Sequence, residues 1–286
     1  MIRKAVLPVA GFGTRFLPAS KAIPKEMLPI IDKPIVQYAV EEAIEAGINE
    51  IIFITSPEKY SIEKHFKKNK KISNRLLKYG KDKYIEKLNP KIFDNVKFHY
   101  VVQKKQNGLG DAIYNAKHLI KDESFAILLP DEIYVSQVSC LNQLINVYER
   151  TSSSVIAVNK VSDEQIKNYG VIKPTSIVND CSKISDIVEK PSIESAPSNY
   201  AVCGRYILNY RIFHHLESIN FDQSGEIQLT DGIRSLLKDE DVFACFYNGE
   251  KYDCGSKEGF VEATIRFAIK ENLISNDLIK VIRKLI

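Results

Sequence analysis

The 286-residue chain has no tryptophan, two methionines and five cysteines. No stretch reaches the roughly 18 apolar residues of a membrane-spanning helix, so a membrane function is not expected. The opening MIRKAVLPVAG meets its first glycine too soon for the apolar core of a secretory leader. Cys140, Cys181, Cys203, Cys245 and Cys254 are odd in number and include no CxxC pair. That points to reduced thiols in a cytoplasm rather than a disulfide frame. The five histidines show no HExxH spacing, so no zinc site is expected. The P-loop pattern G-x-x-x-x-G-K-S/T is missing. A net charge of +4 carries no general signal for nucleic acid.

What is present is an α/β chain. Apolar runs alternate with helical stretches, the mark of βαβ units and a mostly parallel sheet. The pattern predicts strands over Lys4–Ala10, Glu50–Thr55, Val96–Val102, Phe125–Leu129 and Ser154–Val161, with helices over Ile35–Ala46, Asp111–Leu119 and Leu141–Arg150. Gly47 reads as the C-terminal cap of the first helix. Beyond about Asp163 the pattern loosens into short strands near Val171–Lys173, Ile184–Val188 and Ala201–Leu208. A helix over Ile227–Leu237, a strand over Phe243–Tyr247 and a helix over Lys257–Glu271 follow. One continuous domain is expected, with a first half over about 1–162, a second half over about 163–271 that builds an acceptor site, and a C-terminal helix over 277–286. That tail places Leu278, Val281, Ile282 and Leu285 on one helical face, suited to cap the core or to dock on a second subunit. Lys64–Lys91 reads as a helical insertion with solvated lysine faces; a nucleic-acid arm is the sharper alternative, but aromatic interleaving is poor.

The most informative run is AGFGTRFLPASKAIPKEMLP, Ala10–Pro29. An apolar strand leads into it. Gly11 and Gly13 allow backbone N–H groups close to a ligand and tolerate positive φ. Arg15, Lys21 and Lys25 supply charge suited to a polyphosphate. Phe16 stands where a dinucleotide fingerprint wants its third glycine, and Pro18 and Pro24 keep the segment irregular until about Ile35. The run therefore describes a loop that wraps a nucleoside triphosphate.

Four further stretches carry chemistry. In VVQKKQNGLGDAI a strand delivers Gln103, whose amide offers a donor and an acceptor to a pyrimidine edge, beside the turn at Gly108 and Gly110. In FAILLPDEIY, Asp131 emerges beyond the C-terminal end of a buried strand, where open α/β sheets bind ligands; an acid there suits magnesium. KYDCGSKEGF delivers Asp253, equally readable as a helix N-cap. Glu132 and Glu258 are expected to be solvated. YGVIKP and IVEKP place Gly170 for close approach and set Glu189 and Lys190 side by side at a strand end, with Pro174 and Pro191 closing their strands. A carboxylate there can accept from sugar hydroxyls and a lysine can reach a sugar phosphate.

The ordered set GFGTRFLPASKAIPKEMLPIIDKPIVQYAVEEA, QKKQNGLGDAI, LLPDEIY, YGVIKP, IVEKP, GRYIL, GEIQLTDGI and YDCGSKEGFVEA resembles the bacterial UTP–glucose-1-phosphate uridylyltransferases (UDP-glucose pyrophosphorylases) of the nucleotidyltransferase family. The likeness runs from about Lys4 to Ile269. Glucose-1-phosphate thymidylyltransferases share the first loop, but usually carry Gln in place of Glu26 and Gly-Asp in place of Pro130-Asp131. The resemblance implies a Rossmann-like fold with a mixed, mostly parallel sheet flanked by helices. It implies the reaction UTP + glucose 1-phosphate → UDP-glucose + pyrophosphate, with a homodimer or homotetramer as the working form. It implies Ala10, Gly11, Gly13, Gln103 and Gly108 around the nucleotide, with Glu26 nearby. Arg15 and Lys25 fall on the triphosphate, and Asp131 and Asp253 on Mg2+. Gly170, Glu189 and Gly204 fall at the glucose, with Lys190 on its phosphate. Asp111 stands where the family commonly has His; at an expected N-cap position it should have little effect. Ser20 replaces the commoner Thr and keeps the hydroxyl.

The implied chemistry needs no nucleophilic side chain. The phosphate of glucose 1-phosphate is already an anion able to attack the α-phosphorus of UTP, so positioning and charge neutralisation carry the catalysis. A preference for dTTP, or a non-catalytic nucleotide-sugar sensor on the same scaffold, are the rival readings. The presence of Arg15, Lys25, Asp131, Lys190 and Asp253 together speaks against the sensor.

Overall fold

The computed structural model describes residues 1–222 and 225–285; Ile286, the end of the expected C-terminal helix, lies outside the described residues. The first half contributes strands β1 (Lys4–Pro8), β2 (Pro29–Ile30), β3 (Lys33–Pro34), β4 (Glu50–Thr55), β5 (Lys97–Val102), β6 (Phe125–Leu128) and β7 (Glu132–Val135). The second half contributes β8 (Ser154–Lys160), β9 (Gly170–Val178), β10 (Cys181–Glu189), β11 (Tyr200–Leu208), β12 (Val242–Phe246) and β13 (Glu250–Asp253). Nine of these form one sheet in the order β5-β4-β1-β6-β11-β8-β12-β10-β9. Strands β1, β4, β5 and β6 pair in parallel, as do β8 and β12; β10 and β11 run against their neighbours. The sheet is thus mixed, with most strands running one way.

Period-two alternation sends successive side chains to opposite faces. Ala5, Leu7, Ile51 and Phe53 meet the helices Ile35–Glu45, Tyr60–Phe66 and Cys140–Thr151 on one side. Val6, Ile52, Ile54 and Ile127 meet Leu109–Tyr114, Ile212–Ser218 and Leu229–Leu236 on the other. The first helix ends as its sequence predicts: Gly47 takes φ 89, and Gly47 N donates to Ile44 O at 2.9 Å and Ile48 N to Ala43 O at 3.0 Å. A third cluster, built on Ile30, Ile35, Ile133, Tyr252 and Phe267, lies under the small β7–β13 ribbon and the helix Lys257–Lys270.

Several expected elements differ. The short strands near Val171 and Ile184 are the nine-residue arms of one hairpin, β9–β10. Pro174 does not close its strand but sits inside β9, opposite Ile184 and beside a register shift. An edge strand at a bulge is where proline's missing N–H costs least. The helix expected over Asp111–Leu119 is two short helices, Leu109–Tyr114 and Lys117–Ile120. The helix expected from Ile227 begins at Leu229. Of the basic insertion read over Lys64–Lys91, the first residues finish the helix Tyr60–Phe66 with Phe66 buried in the core, and the rest folds as Lys70–Lys78, a 3-10 turn at Asp82–Tyr84 and Ile85–Leu88, none of which holds a buried residue.

Candidate active site

The glycine loop leaves β1 and stays irregular, as its prolines dictate, through three 3-10 turns at Thr14–Phe16, Ala19–Lys21 and Lys25–Met27. Gly13 takes the left-handed conformation at φ 66, and the Ser20 hydroxyl donates to its carbonyl at 2.8 Å. Gly11 is not left-handed; its α-carbon faces open space, where a ligand can approach. The loop borders a compartment of about 400 Å3 that includes Ala10, Gly11, Gly13, Glu26, Gln103 and Gly108. A second compartment of about 630 Å3 is bordered by Arg15, Gly170, Glu189, Lys190, Gly204 and Asp253. Asp131 lines both, and so do Leu109, Leu129 and Glu226. The candidate residues therefore fall into two chambers that meet at Asp131.

Charge in the first chamber is held in pairs. Lys25 Nζ donates to Asp131 Oδ2 at 2.6 Å. Burial opposes the Lys25 charge, but Asp131 and Glu26 outweigh it and hold the ammonium above the ordinary lysine value. Burial likewise opposes the Asp131 charge, yet the Lys25 ammonium and its hydrogen bond keep that carboxyl below the usual aspartate value. Glu26 is 1% exposed and is joined by Lys59 Nζ at 2.8 Å, which also donates to Gly11 O at 2.6 Å. Burial pushes Glu26 up and Lys59 down, each restrained by the other's charge. Lys59 has no counterpart among the residues singled out from sequence; in a run reading SPEKYS it looks like any surface lysine.

Gln103 is buried, and its Nε2 donates to Asp111 Oδ2 at 2.6 Å. Asp111 is not the N-cap expected of it: Gly108 caps that helix, at φ 99, and Asp111 lies in its first turn. Its carboxylate instead orients the glutamine, leaving Oε1 as the free end of the amide. A Cβ at Gly108 would lie 2.7 Å from Ile227 O, and Ile227 N donates to Asn107 O at 2.7 Å while Gly110 N donates to Ile227 O at 2.8 Å. Glu226 is thereby set into the wall shared by both chambers.

The two acids assigned to a metal are brought together by tertiary structure. β7 and β13 pair antiparallel with Glu132 opposite Asp253, a ribbon whose β7 arm has no counterpart in the sequence reading. The position a Cβ would occupy at Gly255 is 2.9 Å from Asp131 Oδ2 and 3.0 Å from Asp253 Oδ1. Gly255 N donates to Asp253 at 2.9 Å. Ser256, not Asp253, caps the following helix by accepting from Gly259 N at 3.1 Å. Burial, then the neighbouring Glu132 and Asp131, raise Asp253 above the ordinary aspartate value. Among the described residues no group of three or more His, Cys, Asp or Glu side chains could hold a metal by itself. Two carboxylates opening on a cleft fit a cation that keeps waters and substrate phosphates as its other ligands, the habit of magnesium.

In the second chamber Glu189 Oε2 accepts from the Thr230 hydroxyl at 2.7 Å. A Cβ at Gly170 would lie 3.1 Å from Thr230 Oγ1 and 3.3 Å from Glu189 Oε2, so glycine there leaves these groups open to a ligand. Lys190 has φ 43 and an exposed side chain, its Nζ 3.4 Å from Glu189 Oε1. Gly204 lines the chamber but its N–H is already used by Glu132 Oε2 at 2.8 Å. A Cβ at Gly204 would come within 2.7 Å of Leu129 Cβ, so this glycine lets β11 approach the loop that carries Asp131. Glu132 is buried rather than solvated, held by Gly204 N, the Tyr134 hydroxyl and Lys251. Glu258 is exposed. The expected group of Gly170, Glu189 and Lys190 does converge; Thr230 and Glu226 join it without having been singled out, and so does Glu132, against its expected solvation. For Thr230 and Glu226 the run GEIQLTDGI was the available signal; for Glu132 only its neighbour Asp131 was.

A family model described as nucleotidyl transferase matches residues 4–268. The chain is 44% identical to UTP–glucose-1-phosphate uridylyltransferase 1 of Staphylococcus saprophyticus over 285 residues, 99% of each chain. It is 44% identical over 278 residues to the UTP–glucose-1-phosphate uridylyltransferase of Bacillus subtilis, covering 97% of this chain and 95% of that one. Among solved structures, a UDP-glucose pyrophosphorylase complexed with UDP-glucose superimposes with a TM-score of 0.86 at 42% identity, covering 94% of this chain and 100% of that one. A UTP-bound UGPase from Acinetobacter baumannii gives a TM-score of 0.87 at 37% identity, covering 100% and 98%.

Proposed function

The chain belongs to the nucleotidyl transferase family, among its UTP–glucose-1-phosphate uridylyltransferases, and on that premise we propose how its two chambers carry out the transfer of a uridylyl group to glucose 1-phosphate. The observation that carries the reading is the meeting of the chambers at Asp131, with Lys25 on that carboxylate. UTP occupies the smaller chamber. Gln103 accepts from the uracil N3–H through the oxygen left free when Asp111 engages its nitrogen. Ala10, Gly11 and Gly13 pass under the base and ribose. Glucose 1-phosphate occupies the larger chamber, its hydroxyls on Glu189 and Thr230 and its phosphate on Lys190.

A phosphate oxygen of glucose 1-phosphate then forms a bond to the α-phosphorus of UTP. The bond from that phosphorus to the bridging oxygen of the pyrophosphoryl group breaks, and pyrophosphate leaves with the electron pair. No proton transfer is required. Arg15 and Lys25 neutralise the departing pyrophosphate, and Lys190 holds the attacking phosphate against its repulsion from UTP. Asp131 and Asp253 would hold Mg2+, whose bound charge supplies electrostatic stabilisation of the phosphate oxygens. Burial, then the charges of Glu132 and Asp131, raise Asp253, and a cation bound between the two aspartates would offset that cost, which supports the assignment.

The same reading takes the working form to be a homodimer or homotetramer. It places the enzyme in the cytoplasm, in keeping with five free thiols. No helix among the described residues is long and apolar enough to cross a membrane. The test is pyrophosphate release from glucose 1-phosphate with UTP or dTTP in parallel, with and without a chelator. UTP-dependent release lost on chelation is expected. A dTTP preference would overturn the base assignment, and release indifferent to chelation would overturn the metal.

A further inference from the structure

Arg205 lies in β11 with 1% of its surface exposed. Its guanidinium stays charged, and a buried ion pair is often no more stable than apolar side chains of the same volume. The pair it makes with Glu42 therefore asks for a reason other than stability. Nε and Nη2 donate to Glu42 Oε2 at 3.0 and 2.8 Å. The rest of the fork goes to backbone: Nη1 donates to Leu129 O at 2.8 Å and Gly204 O at 3.3 Å, and Nη2 to Glu132 O at 3.1 Å. Cζ stands 4.4 Å from the centroid of the Tyr134 ring, a partner that suits a flat cation.

Leu129 and Glu132 bracket Pro130-Asp131. Glu132 N donates to Leu129 O at 3.3 Å, which closes a four-residue turn with proline in its second place and Asp131 in its third. One long hydrogen bond fixes little, and Asp131 stands on the wall of both chambers. Arg205 holds the carbonyls at the two ends of that turn. It also bears on Asp253. Glu132 begins β7 opposite Asp253 in the ribbon, and its carboxylate accepts from the N–H of Gly204, the residue before Arg205, at 2.8 Å. Arg205 itself borders neither chamber; with Glu42 and Tyr134 it lines a third cavity, of about 450 Å3. Its effect on the transfer therefore runs through what it holds.

We propose that Arg205 is a positioning residue of the transfer, its planar fork setting Asp131 and Asp253 relative to one another. The proposal rests on the assignment of those two acids to Mg2+. An apolar side chain could fill the same volume, but only arginine offers five N–H donors in one rigid plane. A lysine keeps the charge and the contact with Glu42. With a single nitrogen it cannot also span Leu129 O and Glu132 O. Misplacement of a reacting geometry by about 1 Å is enough to cost about 100-fold in rate, so the loss of two carbonyl contacts matters here even where the fold survives it.

The test compares Arg205→Lys, Arg205→Met/Glu42→Gln and Asp131→Ala with the wild type. Thermal midpoint and steady-state kinetics are measured beside Mn2+ binding to the UDP-glucose complex, read as loss of the free-ion electron paramagnetic resonance signal. The double variant removes both buried charges and keeps an acceptor for Leu141 N, which Glu42 Oε1 holds at 3.0 Å; it stands in if the lysine variant does not fold. Both Arg205 variants should keep the midpoint within about 5 °C of wild type. The Kd for Mn2+ should rise and kcat fall by about 10- to 100-fold each, while KM for glucose 1-phosphate stays within about threefold, since Arg205 reaches none of Glu189, Lys190 and Thr230. A lowered midpoint with wild-type Kd and kcat in the folded enzyme would mark a merely structural residue and overturn the proposal. Asp131→Ala separates the two readings. If it binds Mn2+ as tightly as wild type, the metal assignment fails and the proposal with it. If it loses Mn2+ while the Arg205 variants keep theirs, the proposal alone fails.

Discussion

The two chambers hold their charged groups in different ways. In the smaller chamber the polar groups are held in close pairs: Lys25 on Asp131, Lys59 on Glu26, Gln103 on Asp111. In the larger chamber Glu189 accepts from the neutral Thr230 hydroxyl, and its cation Lys190, left-handed at the backbone and exposed, stands 3.4 Å from it. A triphosphate brings several charges that would otherwise scatter flexible lysines, so fixed pairs keep the loop in one geometry. On the proposed function, a sugar is neutral apart from its phosphate and needs hydrogen-bond acceptors, with exposed cations such as Lys190 for the phosphate. The contrast makes the first chamber part of the fold's stability and the second mainly part of its affinity.

Breaking a buried pair should show this most strongly. Lys59→Met leaves Glu26 buried and without its partner's charge, and should destabilise the fold by about 3–5 kcal/mol, read as a fall in thermal midpoint. Restoration of the midpoint by the double variant Lys59→Met/Glu26→Leu is expected; no change in Lys59→Met would remove the pair from the stability argument. Next comes Asp131→Ala, which should still fold, with a thermal midpoint lowered less than in Lys59→Met, yet lose about 100- to 1,000-fold in kcat. Near wild-type turnover under saturating magnesium would mean the metal sits elsewhere. Because Lys25 and Asp131 act through one contact, adding Lys25→Ala to that variant should cost much less than the sum of the two single losses.

The sugar side should respond in binding rather than folding. Lys190→Ala should lower kcat/KM for glucose 1-phosphate about 10- to 100-fold, the scale of a hydrogen bond to a charged group, with an unchanged thermal midpoint. Glu189→Ala should chiefly erode discrimination between glucose and galactose 1-phosphates, and equal kinetics with both in wild type and variant would remove it from the sugar site. Thr230→Val should raise KM by about 3- to 10-fold. The smallest effect is in pH. Asp131 has a folded pKa below its unfolded value, so its contribution to stability is fully present above the ordinary aspartate value of about 3.9 and is lost as pH falls through the lowered one. Asp131→Asn should therefore flatten the acid limb of the midpoint-against-pH curve. A limb as steep as wild type would contradict the Lys25 pairing.

Local chemistry made much of the site legible. Gly13, Lys25, Gln103, Asp131 and Glu189 each belong to a short run whose residue types suit one task, and they lie on the chamber walls accordingly. Where the reading failed, it failed on partners distant in sequence. Asp111 looked like a cap because capping depends only on the next turn, but its actual contact is Gln103, eight residues back. Glu132 looked solvated because a carboxylate stays exposed unless something pairs it, yet Gly204 and Lys251 bury it from the other half of the chain. Lys59 was invisible because nothing around it announces a residue 33 positions away.

The division follows from range. Alternation, glycine and proline placement and the order of motifs are properties of a few neighbouring residues, so the α/β class, the irregular loop, the first helix with its Gly47 cap and the candidate residues of the site could be read from the chain alone. Which of those groups meet depends on strand pairing across the whole chain. Only the tertiary structure, by laying β13 on β7 and β11 against the Leu129 loop, decided that Asp131 and Asp253 share one space and that two chambers open onto it.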